Sequence, residues 1–94
     1  MGDSEMQHFE IKWTEKNETH IARHGISPRE VEEVLSSKPL GLVQGRESTL
    51  LALGQTYAGR YLMVVLAEAE DGRFYVVTSR DMTLHEVRKF RRKG

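Results

Sequence analysis

The sequence contains no cysteine, only two prolines and a single tryptophan among its 94 residues. Without thiols the chain can form no disulfide framework, no thiolate nucleophile and no cysteine-ligated zinc or iron–sulfur site. It also lacks a long apolar run, because the longest, residues 61–67, is far shorter than a membrane span. The N-terminal residues lack the basic and apolar regions of a signal peptide. These absences predict one small cytoplasmic domain that needs no oxidising compartment and has no membrane partner.

The formal net charge is zero, but the charges are unevenly distributed along the chain. Residues 1–35 carry four basic and eight acidic side chains, whereas residues 80–94 carry six basic and two acidic ones. A basic terminus of this kind favours a polyanion such as RNA, or an acidic segment of a protein partner. The alternative is a solvated basic tail without a ligand, which the charge pattern does not exclude.

Capping signals divide the chain into three helices. Ser27 and Glu30 form a capping box around Pro28, and Thr83 and Glu86 form a second one near the C-terminus. Thr14 is in place to cap an earlier helix, and a glycine follows where that helix would end. These signals predict helices over residues 16–24, 28–38 and 84–92.

The periodicity changes from helical to strand-like after Pro39. Turn dipeptides at 58–59 and 71–72 separate apolar segments, which predicts an antiparallel meander. The segment 60–67 is nearly continuous in apolar residues, so we expect it to be central and covered on both faces. The predicted strands are residues 9–13, 40–43, 49–56, 60–68 and 73–80.

The predicted fold class is therefore α+β, with the element order β-α-α-β-β-β-β-α. We expect an antiparallel sheet of four to five strands, with an N-terminal helical hairpin packed on it and a C-terminal helix. Residues 1–8 are predicted to be disordered, and residues 9–94 to form a single domain.

The sequence offers little for metal or cofactor chemistry. His20 and His24 have the spacing of two zinc ligands on a helix, but no third ligand is evident and Ile21 stands where a metalloprotease needs glutamate. No glycine-rich phosphate loop or nucleophile elbow occurs. We therefore expect neither a metal nor a cofactor. RNA can still be cut, because its 2′-hydroxyl is an internal nucleophile and the protein needs only proton-transfer groups and cations.

Three side chains are the predicted catalytic residues: His24, Arg60 and Arg80. Arg80 is the best candidate for the cation, because it ends an apolar strand just before a helix cap. Structural alternatives stay open, since His24 can cap its own helix and Arg60 can be an ordinary edge charge. Arg80 can also form an ion pair with Glu86 or Asp81. The predicted RNA-binding residues are Arg46, His85, Arg88, Lys89 and Arg92.

Four short motifs follow one another along most of the chain. They are Trp13 at the end of the first strand, Arg23-His24-Gly25-Ile26-Ser27 between the helices, Ala52-Leu53-Gly54 with Gly59-Arg60 around a hairpin, and Val76-Val77-Thr78-Ser79-Arg80 followed by Thr83-x-x-Glu86-x-Arg88. In this order the chain resembles the BrnT-type toxins of bacterial toxin–antitoxin pairs, small members of the RelE/ParE-like group, from Ile11 to Arg92. The resemblance implies an RNA-cleaving toxin that a partner antitoxin holds inactive. That antitoxin is usually a small ribbon-helix-helix DNA-binding protein.

The chain departs from the family pattern at several positions. Thr14 stands where the family usually has aspartate, and His20 where it has asparagine. The segment from Trp13 to Lys16 is one residue shorter than usual. Phe90 replaces a common tyrosine, and without the hydroxyl it can only stack or pack.

The favoured hypothesis is a metal-independent endoribonuclease toxin that uses 2′-hydroxyl attack and is neutralised by a small DNA-binding antitoxin. A catalytically inactive nucleic-acid-binding module on the same fold is the first alternative. The second is a protein-interaction domain whose apolar, sheet-lined surface docks a partner helix. The sequence is also compatible with a homodimer.

Overall fold

Two helices, a four-stranded sheet and a third helix follow one another along residues 9–93, the part of the chain that the computed structural model describes. The elements are α1 (Glu15–Ala22), α2 (Pro28–Leu35), β1 (Gly41–Gln44), β2 (Leu50–Gln55), β3 (Tyr61–Glu68), β4 (Phe74–Asp81) and α3 (Leu84–Lys93), with a short 3-10 turn (Arg46–Ser48) between β1 and β2. This order confirms the predicted α+β fold. The predicted disorder of residues 1–8 lies outside the described residues. No helix within residues 9–93 is long and apolar enough to cross a membrane.

Side-chain caps define the two helices of the N-terminal hairpin. The Thr14 hydroxyl accepts a hydrogen bond from the backbone N–H of Asn17 at 3.1 Å. Ser27 and Glu30 form the predicted capping box at the start of α2. Between the helices, Gly25 adopts φ 70°, a left-handed conformation that favours glycine and lets the chain reverse.

Helix α2 ends at Leu35, earlier than the predicted end at Lys38. The hydroxyl of Ser37 donates to the carbonyl of Val34 at 2.6 Å, and the backbone N–H of Ser37 donates to the same carbonyl at 3.0 Å. These bonds satisfy a backbone carbonyl in the last turn of α2. The helix therefore ends before Pro39, which the prediction used as its limit. Helix α1 is likewise shorter than predicted.

The strands form an antiparallel meander in the order β1-β2-β3-β4. Gly59 (φ 96°) and Gly72 (φ 89°) take left-handed conformations in the turns before β3 and β4, which confirms both predicted turns. The register between β3 and β4 shifts at Val65 and Leu66, where the paired strands contain a bulge or irregularity.

The predicted first strand contributes a single bridge rather than a ladder. The N–H of Lys12 donates to the carbonyl of Phe74 at 2.7 Å, and the N–H of Phe74 donates to the carbonyl of Glu10 at 2.9 Å. Ile11 thereby pairs in parallel with β4 at its outer edge. Its side chain and that of Trp13 pack against the core, as the apolar–polar alternation predicts.

The core lies between the helical hairpin and one face of the sheet. Leu62, Val64 and Leu66 alternate along β3 toward the helices and are completely buried. They pack with Ile21 of α1 and Val31 of α2 in one cluster. This arrangement fixes the position of the hairpin turn relative to the ends of β3 and β4.

The sheet face away from the hairpin, which we call the open face, is only partly covered by α3. Phe90 of α3 packs edge-on against Tyr61, with ring centroids 6.0 Å apart. Met63 of β3 is 9% exposed on this face, so this part of β3 is covered on both sides as predicted. Val43 of β1 is 50% exposed. The helix therefore leaves the open face uncovered around Val43.

Candidate functional site

The three predicted catalytic residues lie at the end of the sheet where β3 begins and β4 ends, which we call the site end. Arg60 directly precedes β3, and Arg80 and Asp81 are the last residues of β4. The hairpin turn that carries His24 reaches the same end, because Nη1 of Arg60 donates to the carbonyl of Gly25 at 2.8 Å. Sheet topology thus brings together residues that are far apart in the sequence.

Arg60 has partners within the described chain for all five of its N–H donors. Its Nε and Nη2 donate to the two carboxylate oxygens of Asp81 at 2.8 and 3.1 Å. Its Nη1 donates to the carbonyl of Gly25 and, at 3.2 Å, to Oε2 of Glu30. A longer bond of 3.4 Å joins Nη2 to the carbonyl of His24. We call these groups the Arg60 cluster; it ties the helical hairpin to β3 and β4.

Hydrogen bonding favours the ionised forms of Arg60 and Asp81. The bonds from Arg60 hold the pKa of Asp81 below its ordinary value, and the same bonds raise the pKa of Arg60. The side chains of Arg60 and Asp81 are 29% and 58% exposed, so water screens the pair. Arg60 thus donates hydrogen bonds to two carboxylates, those of Glu30 and Asp81, and has no N–H left without a partner.

His24 enters the Arg60 cluster through its backbone rather than its ring. The imidazole is exposed, and its centroid is 5.9 Å from that of His20. Within residues 9–93 the ring makes no hydrogen bond to the helix carbonyls, so the capping alternative is not observed. No group of three or more metal-ligating side chains occurs among these residues.

Arg80 forms a bidentate pair with Glu86, one of the two partners that the sequence allows. Nη1 and Nη2 of Arg80 donate to the two Glu86 oxygens at 2.9 Å each. Nη1 also donates to the carbonyl of Asp81 at 3.0 Å, and Nη2 lies 3.7 Å from Sδ of Met63. Among the described residues no group accepts from Nε. The Arg80 side chain as a whole is 40% exposed.

Glu86 also closes the first turn of α3. Its Oε1 accepts from the N–H of Thr83 at 2.9 Å, and its own N–H donates to the Thr83 hydroxyl at 3.1 Å, forming the predicted capping box. The hydrogen bonds from Arg80, with smaller contributions from Thr83, lower the pKa of Glu86 to about 2. One carboxylate therefore positions both the arginine and the start of the helix.

The predicted RNA-binding residues divide between α3 and the opposite end of the sheet. Arg46 is exposed in the turn between β1 and β2, beside the Leu50–Leu66 pair at the end of the sheet away from Arg60. The structure therefore does not bring Arg46 to the site end. The other four are exposed on α3, namely His85, Arg88, Lys89 and Arg92.

Arg60 and Arg80 lie on opposite faces of the sheet. Arg80 pairs across the strands with Met63 on the open face, whereas Asp81 is its neighbour on β4 and its side chain turns to the hairpin face. Arg60 binds the carboxylate of Asp81 and Arg80 binds its carbonyl. The two guanidinium groups thus flank a single residue at the site end.

Two carboxylates of the Arg60 cluster were absent from the predicted site. The capping box indicates the local role of Glu30, but nothing local indicates its contact with Arg60, which lies thirty residues further along the chain. The position of Asp81 beside Arg60 could have been predicted, because an antiparallel β3–β4 pair brings the end of β4 beside the start of β3.

Comparison with known proteins identifies the family. The sequence model of the family described as "Ribonuclease toxin, BrnT, of type II toxin-antitoxin system" matches residues 13–86, which include Arg60, Arg80 and Glu86. No curated protein and no solved structure gave a significant match. The family match covers most of the chain and agrees with the motifs on the predicted strands and helices. The chain belongs to the BrnT family of ribonuclease toxins of type II toxin–antitoxin systems.

Proposed function

We propose that this chain is an endoribonuclease that cuts RNA without a metal ion. In the proposed reaction the ribose 2′-oxygen attacks the adjacent phosphorus and loses its proton to a base. The bond from phosphorus to the 5′-oxygen breaks, and that oxygen takes up a proton. The products are a 2′,3′-cyclic phosphate and a 5′-hydroxyl. The family match supports RNA as the substrate, and the residues of the site end support this type of chemistry.

The observation that carries the proposal is the geometry of Arg80. Glu86 holds both terminal nitrogens of its guanidinium, so the orientation of the group is fixed before any substrate binds. The Arg80 side chain is 40% exposed and its Nε has no partner within residues 9–93, so we propose that Nε donates to a phosphate oxygen of the RNA. A cation that is already oriented can stabilise the charge that develops on the phosphorane without reorganisation. We also assign His24 and Arg60 to the catalytic site, because both lie at the same end of the sheet as Arg80.

The exposed basic side chains of α3 support RNA binding next to Arg80. We propose that His85, Arg88, Lys89 and Arg92 contact RNA phosphates, and that Arg46 adds a contact at the other end of the sheet. We also propose a small ribbon-helix-helix DNA-binding protein as the antitoxin, and the cytoplasm as the site of action. A gene for such a protein beside the gene of this chain would support the partner assignment.

A binding module without turnover is the second candidate, and two observations favour it. The five donors of Arg60 are all engaged within the described chain, and both terminal nitrogens of Arg80 are engaged with Glu86. Neither guanidinium therefore offers two free terminal nitrogens to a phosphate. In addition, Phe90 packs on Tyr61 and supplies no hydroxyl.

Incubation of labelled RNA with the purified chain in EDTA separates these two candidates. Cleavage that persists in EDTA, leaves a 2′,3′-cyclic phosphate and fails on a strand with 2′-deoxyribose at the cut site is the expected result. Strict dependence on magnesium would overturn the mechanism. Salt-sensitive binding without cleavage would establish the second candidate instead.

A further inference from the structure

An apolar groove runs between α3 and the β1–β2 part of the open face. Its volume is about 410 Å³. Val43, on β1, lines this groove and is 50% exposed. The walls are mainly aliphatic, and the groove is lined in part by Leu42, Val43, Leu51, Leu53, Met63 and Phe90.

The charged side chains around the groove favour an acidic occupant. Glu86 is the only carboxylate among the described lining residues, and both of its oxygens already accept hydrogen bonds from Arg80. Lys89 also lines the groove, and it makes no ion pair within residues 9–93. Arg88 and Arg92 are exposed nearby on α3. The groove therefore combines aliphatic walls with positive charge that the described chain does not neutralise.

We propose that this groove is the docking site of the antitoxin, and that it binds an amphipathic helix of that protein. The helix would place aliphatic side chains against β1 and β2 and glutamate or aspartate side chains near Lys89. An aliphatic groove suits such a helix better than RNA, because bases bind chiefly by stacking on aromatic or guanidinium planes.

Docking in this groove also explains how the partner blocks activity. The helix covers Lys89, which we assign to RNA binding, and it lies against Glu86, which orients Arg80. RNA and the antitoxin then compete for the same face of α3. This inference rests on the proposed function in one respect only, namely that the ligand excluded by the antitoxin is RNA.

Paired valine substitutions test the docking site. The probe is the small protein encoded beside the gene of this chain, purified and fluorescently labelled, and its Kd is measured by anisotropy with the full-length chain. Val43→Glu places a carboxylate in the groove and should weaken binding at least about tenfold. Val77→Glu makes the same change at a valine that is 43% exposed beside α1 and should leave the Kd within about threefold of wild type. Val43→Lys should weaken binding less than Val43→Glu, because its charge attracts acidic side chains.

Four outcomes would overturn the inference. No binding by the wild-type chain, equal effects of the two glutamate variants, or a larger loss for Val43→Lys than for Val43→Glu would each reject an acidic helix in the groove. A loss of RNA cleavage in Val43→Glu with unchanged antitoxin binding would assign the groove to RNA. Circular dichroism confirms that each variant is folded. A wild-type chain that binds the antitoxin but cuts no RNA would reject the proposed function and leave the docking site standing.

Discussion

Replacing Arg60 with alanine removes the side chain that joins the helical hairpin to the sheet. Arg60 binds the carboxylate of Asp81, the carboxylate of Glu30 and the carbonyl of Gly25. After the substitution the two carboxylates lose their shared cation, while water can replace the bonds to the carbonyls. We therefore expect the hairpin to be held to the sheet mainly by its apolar contacts.

The partial exposure of the cluster limits the size of this effect. Hydrogen bonds to charged groups each contribute roughly 1.5–3 kcal/mol when they are well protected. The side chains of Arg60, Glu30 and Asp81 are 29%, 30% and 58% exposed, so screening reduces each contribution. We expect Arg60→Ala to lower the free energy of unfolding by about 2 kcal/mol. For a domain of this size that corresponds to a decrease in Tm of about 8–16 °C.

Thermal and urea unfolding, followed by circular dichroism, measure the change. Arg29→Ala is the matched control, because Arg29 pairs with Glu33 one helical turn away and is 87% exposed; it should cost less than about 0.5 kcal/mol. Arg60→Lys keeps the charge but loses the planar fork, so its Tm should lie between those of wild type and Arg60→Ala. If Arg60→Ala melts within about 2 °C of Arg29→Ala, the cluster does not hold the hairpin.

Four further predictions address the chemistry of the site. Because the pKa of Glu86 is about 2, below its ordinary 4.5, its pairing with Arg80 should contribute stability that is fully present above pH 4.5 and lost as the pH falls toward 2. An acid-unfolding curve should lose this dependence in Glu86→Gln. Arg80→Ala should lower the rate of RNA cleavage about a hundredfold or more with little change in affinity. Arg73→Ala, which breaks an arginine–aspartate pair at the other end of the sheet, should keep the wild-type rate, and equal losses would reject Arg80 as the cation. Lys89→Ala should weaken RNA binding and reduce its salt slope by about one unit in gel-retardation titrations, and an unchanged slope would contradict a phosphate contact. His24→Ala should reduce cleavage without changing the Tm; a lower Tm with normal cleavage would assign His24 to the fold.

The sequence by itself determined the helix starts and the hairpin turns. The caps at Thr14 and Ser27 bond to backbone groups three residues away, and Gly59 and Gly72 supply the conformations that their own turns require. Such signals act over a few residues, so they can be recognised before any tertiary contact is known. Helix ends were less predictable, because α2 stops at bonds from Ser37 rather than at the proline.

The sequence also indicated Arg60 and Arg80 as basic groups at strand ends, and it offered Glu86 and Asp81 as partners of Arg80 but none for Arg60. Alternation along β4 points the Asp81 carboxylate away from the Arg80 side chain. The pattern therefore already favoured Glu86 over Asp81 as the partner of Arg80. The contact between Arg60 and Glu30 could not be predicted from the sequence pattern, because it depends on where the hairpin lies over the sheet.

Only the tertiary structure decided which residues share a surface. It reduced the first predicted strand to one bridge at Ile11, because the segment meets β4 only near Phe74. It placed Arg60 and Arg80 on opposite faces, and it left Val43 exposed beside α3. These outcomes follow from the packing of elements that are distant in the chain. The hydrophobic pattern fixes which side of each element is buried, whereas the neighbour that covers it is set by the assembly of the whole fold.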